Sequence, residues 1–269
     1  MIRKIFNIVV YAFAIIGLIM VFGYVAMKLG WTRTKGVVDT QHDYFQDRID
    51  ESSWSKSEEW LILKEAIKKD SAIISKVAAE TGIPPRMIVT PLVVEQLRLF
   101  YSEREVFKQV LAPLKILGNQ SQFSWGVMGI KQETAIEIEN NLKNPSSPFY
   151  LGKDFENVLD FKTDNPDKER FERLTDEDDR YYSYLYGALM LAQVEKQWDY
   201  AGFSITNNAG IVSTLYNIGF INSKPKALPQ IGGAEIEVGE TTYSFGGLAQ
   251  SFYNSDELIE EFPFFSEPN

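Results

Sequence analysis

The distribution of apolar and charged residues divides the chain into three parts. Residues 5–27 contain no charged side chain, and an uncharged apolar run of that length predicts one transmembrane helix. We expect an uncleaved anchor over residues 1–29 rather than a signal peptide, because Tyr24-Val25-Ala26 is a poor match to a small-x-small cleavage site. Residues 30–54 are polar and mixed, which predicts a stalk, and residues 55–269 carry the patterns of a folded domain.

The beginning of the domain has the spacing of helices. Ser55 and Glu58 form a capping-box pattern, and apolar residues then recur at helical intervals as far as Val77. Gly82 is typical of a residue just past the end of a helix. Pro85 suits the first turn of the next helix. The sequence therefore predicts two helical segments joined by a rigid link.

Helical patterns continue through most of the remaining chain. We predict a short helix over residues 103–111, a loop at 118–121, and longer helices over 132–142, about 177–198 and about 204–217.

A small β element is predicted after these helices. Residues 234–238 and 241–245 flank Gly239-Glu240, which is a signal for a two-residue β-hairpin. The predicted fold class is mainly α, of the α+β kind: a helical domain with a small β-hairpin near the C-terminus, preceded by one N-terminal transmembrane helix.

The composition excludes several kinds of site. The chain has no cysteine, so a thiolate nucleophile, a disulfide framework and a cysteine-based zinc site are impossible. Its one histidine, His42, lies in the polar stalk, where we expect a surface position rather than a general base. The acidic run at 176–179 lacks the spacing and the glycine of a calcium loop. We expect no metal and no cofactor, and carboxylates are left to carry any proton transfer.

The charge of the chain excludes one class of partner. After the apolar run, 25 of the 27 basic residues remain together with all 37 acidic ones, so this part has a formal charge of −12. A surface of that sign repels nucleic acid. We therefore expect no nucleic-acid partner.

Glu95 is the candidate residue for proton transfer. It shares an apolar helical stripe with Ile88 and Leu92. A carboxyl in such a position is costly unless it is neutral, paired or used in chemistry. Two interpretations follow: Glu95 is a catalytic group, or it forms a buried ion pair with Arg98 or Arg104.

Glu95 and three motifs follow one another in a fixed order along the domain. They are Gly82-Ile83-Pro84-Pro85, then Glu95 itself, then Ser124-x-Gly126-x-Met128-x-Ile130 with Thr134-Ala135, then Tyr216-Asn217-x-Gly219. The ordered set resembles that of lytic transglycosylases of the soluble-lytic type, which are relatives of goose-type lysozyme in the lysozyme-like superfamily. The resemblance covers about residues 57–220.

The resemblance implies a lysozyme-like fold and cleavage of the β-1,4 bond between N-acetylmuramic acid and N-acetylglucosamine in peptidoglycan. Glu95 matches the single acid and base of that family, which protonates the leaving oxygen and then takes a proton from the C6 hydroxyl, giving a 1,6-anhydro product. Glu103, Glu105 and Glu133 are near in sequence but match no motif. The implied substrate-binding residues are Ser124, Gly126, Met128, Gly129, Tyr216 and Asn217.

Three positions differ from the pattern of the family. Gln96 stands where Ser or Thr is usual, Gly129 stands where Gln is common, and Leu215 replaces an alanine. The interval of 29 residues between Glu95 and Ser124 is longer than usual. Two alternatives therefore stay open, a lysozyme-type hydrolase and a non-catalytic module for glycan binding or assembly. Tyr216 has an alternative as well, as a buried tyrosine with a satisfied hydroxyl.

The expected location follows from the anchor and the resemblance together. Basic residues are nearly balanced on the two sides of the apolar run, and a peptidoglycan substrate places the domain outside the cell. We predict a single-pass protein of the inner (cytoplasmic) membrane in a bacterial cell envelope, with the domain on the outer side. The expected partners are glycan strands, the membrane and an envelope complex.

Overall fold

A computed structural model of the chain describes residues 54–101, 124–238 and 241–264. The predicted anchor, nearly all of the stalk, His42, and the predicted helix and loop at 103–111 and 118–121 lie outside these ranges. Among the helices of the described ranges, none is both long enough and apolar enough to cross a bilayer.

The described residues form eight α-helices and four short strands, so the prediction of a mainly helical fold with a small antiparallel β element is confirmed. The helices are α1 Glu58–Lys69, α2 Ser71–Thr81, α3 Pro85–Tyr101, α4 Gln132–Leu142, α5 Pro166–Thr175, α6 Tyr181–Tyr200, α7 Ala209–Ile218 and α8 Phe245–Asn254. The strands are β1 Ser124–Trp125, β2 Ile130–Lys131, β3 Glu235–Val238 and β4 Thr241–Ser244, and 3-10 turns occur at Trp54–Lys56, Lys153–Phe155 and Phe220–Asn222.

The predicted helical run after the stalk is divided into two helices. The cap is Ser57 and not Ser55, because the Ser57 hydroxyl accepts the Trp60 N–H at 3.1 Å. Asp70 ends α1 and precedes α2. Its carboxylate accepts a hydrogen bond from the Tyr184 hydroxyl on α6 at 2.5 Å. The residue between α1 and α2 is therefore bound to a helix that is distant in the sequence.

Helix α3 lies at the centre of the domain. Gly82 ends α2 with a φ of 76°, and α3 begins at Pro85, both as predicted. This helix packs against α1, α2, α6, α7, α8 and β3. Residues 87–95 are all buried, so α3 is enclosed on every face rather than along one stripe.

Two antiparallel hairpins complete the described domain. In the first, Ser124 pairs with Lys131 and Trp125 with Ile130 across a turn made by residues 126–129. The sequence motif did not identify these two-residue strands. The second is the predicted hairpin, with Val238 opposite Thr241.

Two helices begin later than the sequence indicated. Helix α6 starts at Tyr181 rather than near 177, because the Asp176 side chain accepts the N–H groups of Asp178 and Asp179 and holds a turn there. Helix α7 starts at Ala209 rather than near 204 because the side chain of Asn208 caps it.

A further helix, α5 (Pro166–Thr175), occupies residues for which the sequence predicted no helix. Its Arg170 is buried and donates to both carboxylate oxygens of Glu139 on α4 at 2.7 Å. This two-point contact joins α5 to the rest of the helical domain.

The core also contains the last residue of the predicted stalk. Trp54 is fully buried and forms edge-to-face contacts with Trp60 and Phe252. The packed domain therefore includes Trp54, although the predicted boundary placed it in the stalk.

Candidate functional site

Three elements bring parts of the sequence motifs together around Glu95. This residue lies on α3 and is only 4% exposed. The turn between β1 and β2 places Gly129 against its carboxylate. Tyr216 on α7 joins the same group, because its hydroxyl donates to the Met128 carbonyl at 2.6 Å. Residues from three distant segments thus meet at one buried carboxylate.

Gly129 allows the Glu95 carboxylate to lie directly on the turn. Its φ is 65°, in the left-handed region that favours glycine. A Cβ at this position would lie 2.3 Å from Oε1 of Glu95 and 2.6 Å from its Cδ and Cγ. Any side chain at position 129 would therefore displace either the turn or the glutamate.

The Glu95 carboxylate is paired with Arg98, one turn farther along α3. Arg98 Nε donates to Oε2 at 3.0 Å, and Arg98 Nη2 donates to Oε1. Donation to both oxygens is the geometry of an ionised carboxylate with a guanidinium. The ion pair that the sequence left open is therefore present, and its partner is Arg98. Arg104, the other cation considered, lies outside the described residues.

Gln96, which departs from the family pattern, connects α3 to the turn. Its side-chain amide donates to the Val127 carbonyl at 2.5 Å. Tyr216 donates to the next carbonyl, that of Met128. Two hydrogen bonds from two helices thus hold adjacent carbonyls of the turn, and the larger side chain at position 96 has a structural explanation. Leu215, another position that differs from the resembled pattern, is buried in the core.

The remaining turn residues contact the domain behind the turn. A Cβ at Gly126 would lie 2.0 Å from the Leu174 carbonyl oxygen. Met128 is fully buried and packs against Gly187, while its N–H donates to the Ser183 hydroxyl at 3.4 Å. These contacts are with protein, and a role in substrate binding stays a prediction for these residues and for Ser124, which lies in β1.

Tyr216 and Asn217 have different surroundings although they are adjacent. Burial, and secondarily the Glu95 charge, raises the pKa of Tyr216 well above its usual value, so this hydroxyl remains a hydrogen-bond donor. Asn217 accepts the Ala234 N–H at 2.8 Å and so holds the segment that leads into β3. The structure joins Tyr216 to the Glu95 site and gives Asn217 a contact with the β3 segment.

Comparisons of the chain with protein-family models, with curated proteins and with solved structures found no significant match. Within the described ranges, no group of three or more acidic or histidine side chains is arranged to hold a metal ion. Of the other nearby acids considered, Glu133 is exposed on α4, and Glu103 and Glu105 lie outside the described residues.

Glu195 on α6 is a buried carboxyl with a perturbed pKa that the sequence did not single out. Burial raises the pKa of Glu195 on α6 to about 7, and the charge of Asp199 acts in the same direction. Glu195 also interacts electrostatically with Tyr253 on α8. The sequence signals for this shift were the apolar neighbours of Glu195 on the helix and the like charge of Asp199 four residues later.

Glu195 should lower the free energy of unfolding of the domain as the pH rises and its carboxyl ionises. The folded pKa of about 7 lies above the ordinary value of 4.5, so the folded state binds the proton more tightly, and the loss occurs between these two values. We expect Glu195→Gln to increase the free energy of unfolding by about 1–2 kcal/mol at pH 8, since the side chain is partly exposed, and by little at pH 4. Urea unfolding at both pH values measures this, with exposed Glu177→Gln as the control. Equal effects of Glu195→Gln at both pH values would contradict it.

Proposed function

We propose that this protein is a membrane-anchored peptidoglycan lytic transglycosylase with a lysozyme-like fold and Glu95 as its acid and base. The observation that carries the proposal is the meeting of Glu95, Met128 with its turn, and Tyr216 at one buried point. These residues belong to three separate motifs of the resemblance. Nothing in their local sequence requires the motifs to meet, so their convergence supports a common site.

The chemistry of the proposed reaction needs one carboxyl in two states. A neutral Glu95 donates its proton to the glycosidic oxygen of the leaving N-acetylglucosamine, while the N-acetyl group of the muramic acid assists at C1. The resulting carboxylate then takes the proton of the C6 hydroxyl as O6 attacks C1, which yields the 1,6-anhydro end. The low exposure of Glu95 keeps solvent from the carboxyl, and Arg98 lies where it can pair with the carboxylate that the first step leaves.

A second function has its own supporting observation. Arg98 occupies both oxygens of Glu95, and a permanent ion pair would leave no proton donor at this position. In that case the domain binds glycan strands, or assembles an envelope complex, without turnover. A lysozyme-type hydrolase using the same glutamate is the remaining alternative within the same fold.

The decisive experiment is digestion of cell-wall sacculi by the full-length protein in detergent, followed by mass analysis of the products. We expect muropeptides with 1,6-anhydro ends, and we expect Glu95→Gln to reduce their release by about a hundredfold or more. The exposed Glu133→Gln serves as the control and should retain activity. Products with reducing ends would identify a hydrolase.

Binding without product would identify the non-catalytic module. In that case the protein would co-sediment with sacculi and release nothing soluble, and Glu95→Gln would behave like the unchanged protein. Loss of activity in Glu133→Gln would contradict the single-glutamate mechanism directly.

The proposed location is inferred from the N-terminal sequence, which lies outside the described residues. The uncharged run of residues 5–27 supports a single-pass anchor in the inner membrane of a bacterial envelope. The domain would then lie on the outer side, where peptidoglycan is accessible. Protease treatment of intact spheroplasts should remove the domain while leaving the anchor in the membrane.

A further inference from the structure

Arg98 is the solvent-accessible partner in the ion pair with Glu95. The side chain of Arg98 is 23% exposed, whereas that of Glu95 is 5% exposed. Both oxygens of the buried carboxylate accept hydrogen bonds from the guanidinium. A substrate that approaches from solvent therefore meets Arg98 before it meets the acid.

Hydrogen bonds hold the turn of residues 126–129 against Glu95, and that turn holds Glu95 in the position where it pairs with Arg98. Gln96 and Tyr216 hold the Val127 and Met128 carbonyls at 2.5 and 2.6 Å. The next residue, Gly129, has no side chain, and the space that a side chain would fill holds the Glu95 carboxylate. The position of Glu95 under Arg98 thus depends on several contacts rather than on two flexible side chains alone.

Proton donation by Glu95 requires that this ion pair be broken. A carboxylate bound through both oxygens by N–H donors carries no proton to give. Removing Glu95 from the pair without a replacement leaves the guanidinium uncompensated in a partly buried position, which is costly. A second carboxylate, supplied by the substrate, would replace Glu95 at low cost, because the planar guanidinium binds carboxylates through two parallel hydrogen bonds.

The geometry points to Arg98 as a specificity-determining residue that binds a carboxylate of the substrate and thereby releases Glu95 for catalysis. This inference rests on the proposed function. In peptidoglycan the carboxylates belong to the short peptides attached to muramic acid. The preferred substrate is therefore a glycan strand that carries acidic peptides, and a strand whose carboxylates have been converted to amides leaves the Arg98–Glu95 pair closed.

The test compares three soluble glycan substrates with the full-length protein. They are strands with intact peptides, the same strands after enzymatic removal of the peptides and amidation of the lactyl carboxyl groups that this removal exposes, and strands whose peptide carboxylates have been converted to amides. We expect kcat/KM on intact strands to exceed that on the other two by about tenfold or more, the order of one hydrogen-bonded charge pair. This comparison needs no variant, so a folding defect cannot affect it.

Variants of Arg98 then test whether this residue carries the preference. In Arg98→Gln the three rates should lie within about threefold of one another, because a neutral amide gains little from a carboxylate. Arg98→Lys keeps the charge without the two-point geometry and should retain a smaller preference. Equal rates of the unchanged protein on intact and amidated strands, or an unaltered preference in Arg98→Gln, would overturn the inference.

Failure of the proposed function has a different signature. If the unchanged protein cleaves none of the three substrates, the transglycosylase proposal fails, and calorimetric binding of the same strands tests the role of Arg98 by itself. About tenfold tighter binding of intact than of amidated strands, lost in Arg98→Gln, would support carboxylate recognition. Equal affinities would refute it.

Discussion

Replacing Arg86 by methionine is expected to lower the free energy of unfolding by about 4 kcal/mol or more, the scale of losing a buried charge that is fully hydrogen-bonded. Arg86 is fully buried near the start of α3. All five of its N–H donors are used, and every acceptor is a backbone carbonyl. These belong to Phe252, Tyr253, Ser255, Glu257 and Phe262, at distances of 2.6–3.1 Å.

The large effect is expected because Arg86 binds the backbone carbonyls at the C-terminal end of α8. The carbonyls at the C-terminus of a helix have no partner within the helix and carry partial negative charge. Arg86 satisfies two of them and also holds the chain that follows. Burial lowers the pKa of Arg86, but a guanidinium remains charged in proteins. Methionine fills a similar volume but removes all five donors, and the Phe252 carbonyl then keeps only the N–H and hydroxyl of Ser255.

Chemical denaturation of the full-length protein in detergent measures this effect. Arg86→Lys is the matched control, since it keeps a buried cation with fewer donors, and it should fall between methionine and the unchanged protein. The thermal midpoint of Arg86→Met should drop by roughly 10 °C, given about 2–4 °C per kcal/mol for a domain of this size. A loss below about 1 kcal/mol, the scale of an exposed ion pair, would show that the five contacts contribute little.

Gly129→Ala is expected to destabilise the protein by about 2–4 kcal/mol, through backbone strain and overpacking together. Alanine disfavours the φ of 65° at this position. Its Cβ would also lie 2.3 Å from Oε1 of Glu95, and the turn cannot retreat easily because Gln96 and Tyr216 hold it. The carboxylate must therefore leave its position under Arg98.

Two controls separate backbone strain from the clash with Glu95. Gly82 has a φ of 76° with nothing within 4 Å of an added Cβ, so Gly82→Ala should show the strain alone, about 1–2 kcal/mol. In a Glu95→Ala background the clash is absent, and Gly129→Ala should then cost about as much as Gly82→Ala. A coupling energy of about 1–2 kcal/mol between positions 95 and 129 in this double-mutant cycle is the expected result. Additive effects would contradict the contact.

Several features of the domain depend on residues close together in the chain, and the sequence predicted these. Helix α4 begins and ends at the predicted residues 132 and 142, the Gly82 helix end and the Pro85 helix start are confirmed, and the C-terminal hairpin forms as its turn signal indicated. Caps, turn residues and periodicity act within a few positions. The sequence did not predict the division between α1 and α2 at Asp70, because the partner of the Asp70 side chain is distant in the chain.

The sequence by itself determined that Glu95 lies on a buried apolar helix and that, without cysteine and with one histidine in the stalk, a carboxyl is the candidate for proton transfer. Only the tertiary structure decided what surrounds that carboxyl. The contact of Tyr216 with Met128 spans 88 positions, and that of Arg86 with Tyr253 spans 167. Contacts over such distances depend on how whole helices pack, which no local pattern encodes, and the same packing left space for Glu95 beside Gly129. The Arg98 partner, by contrast, is local, three residues farther along the same helix.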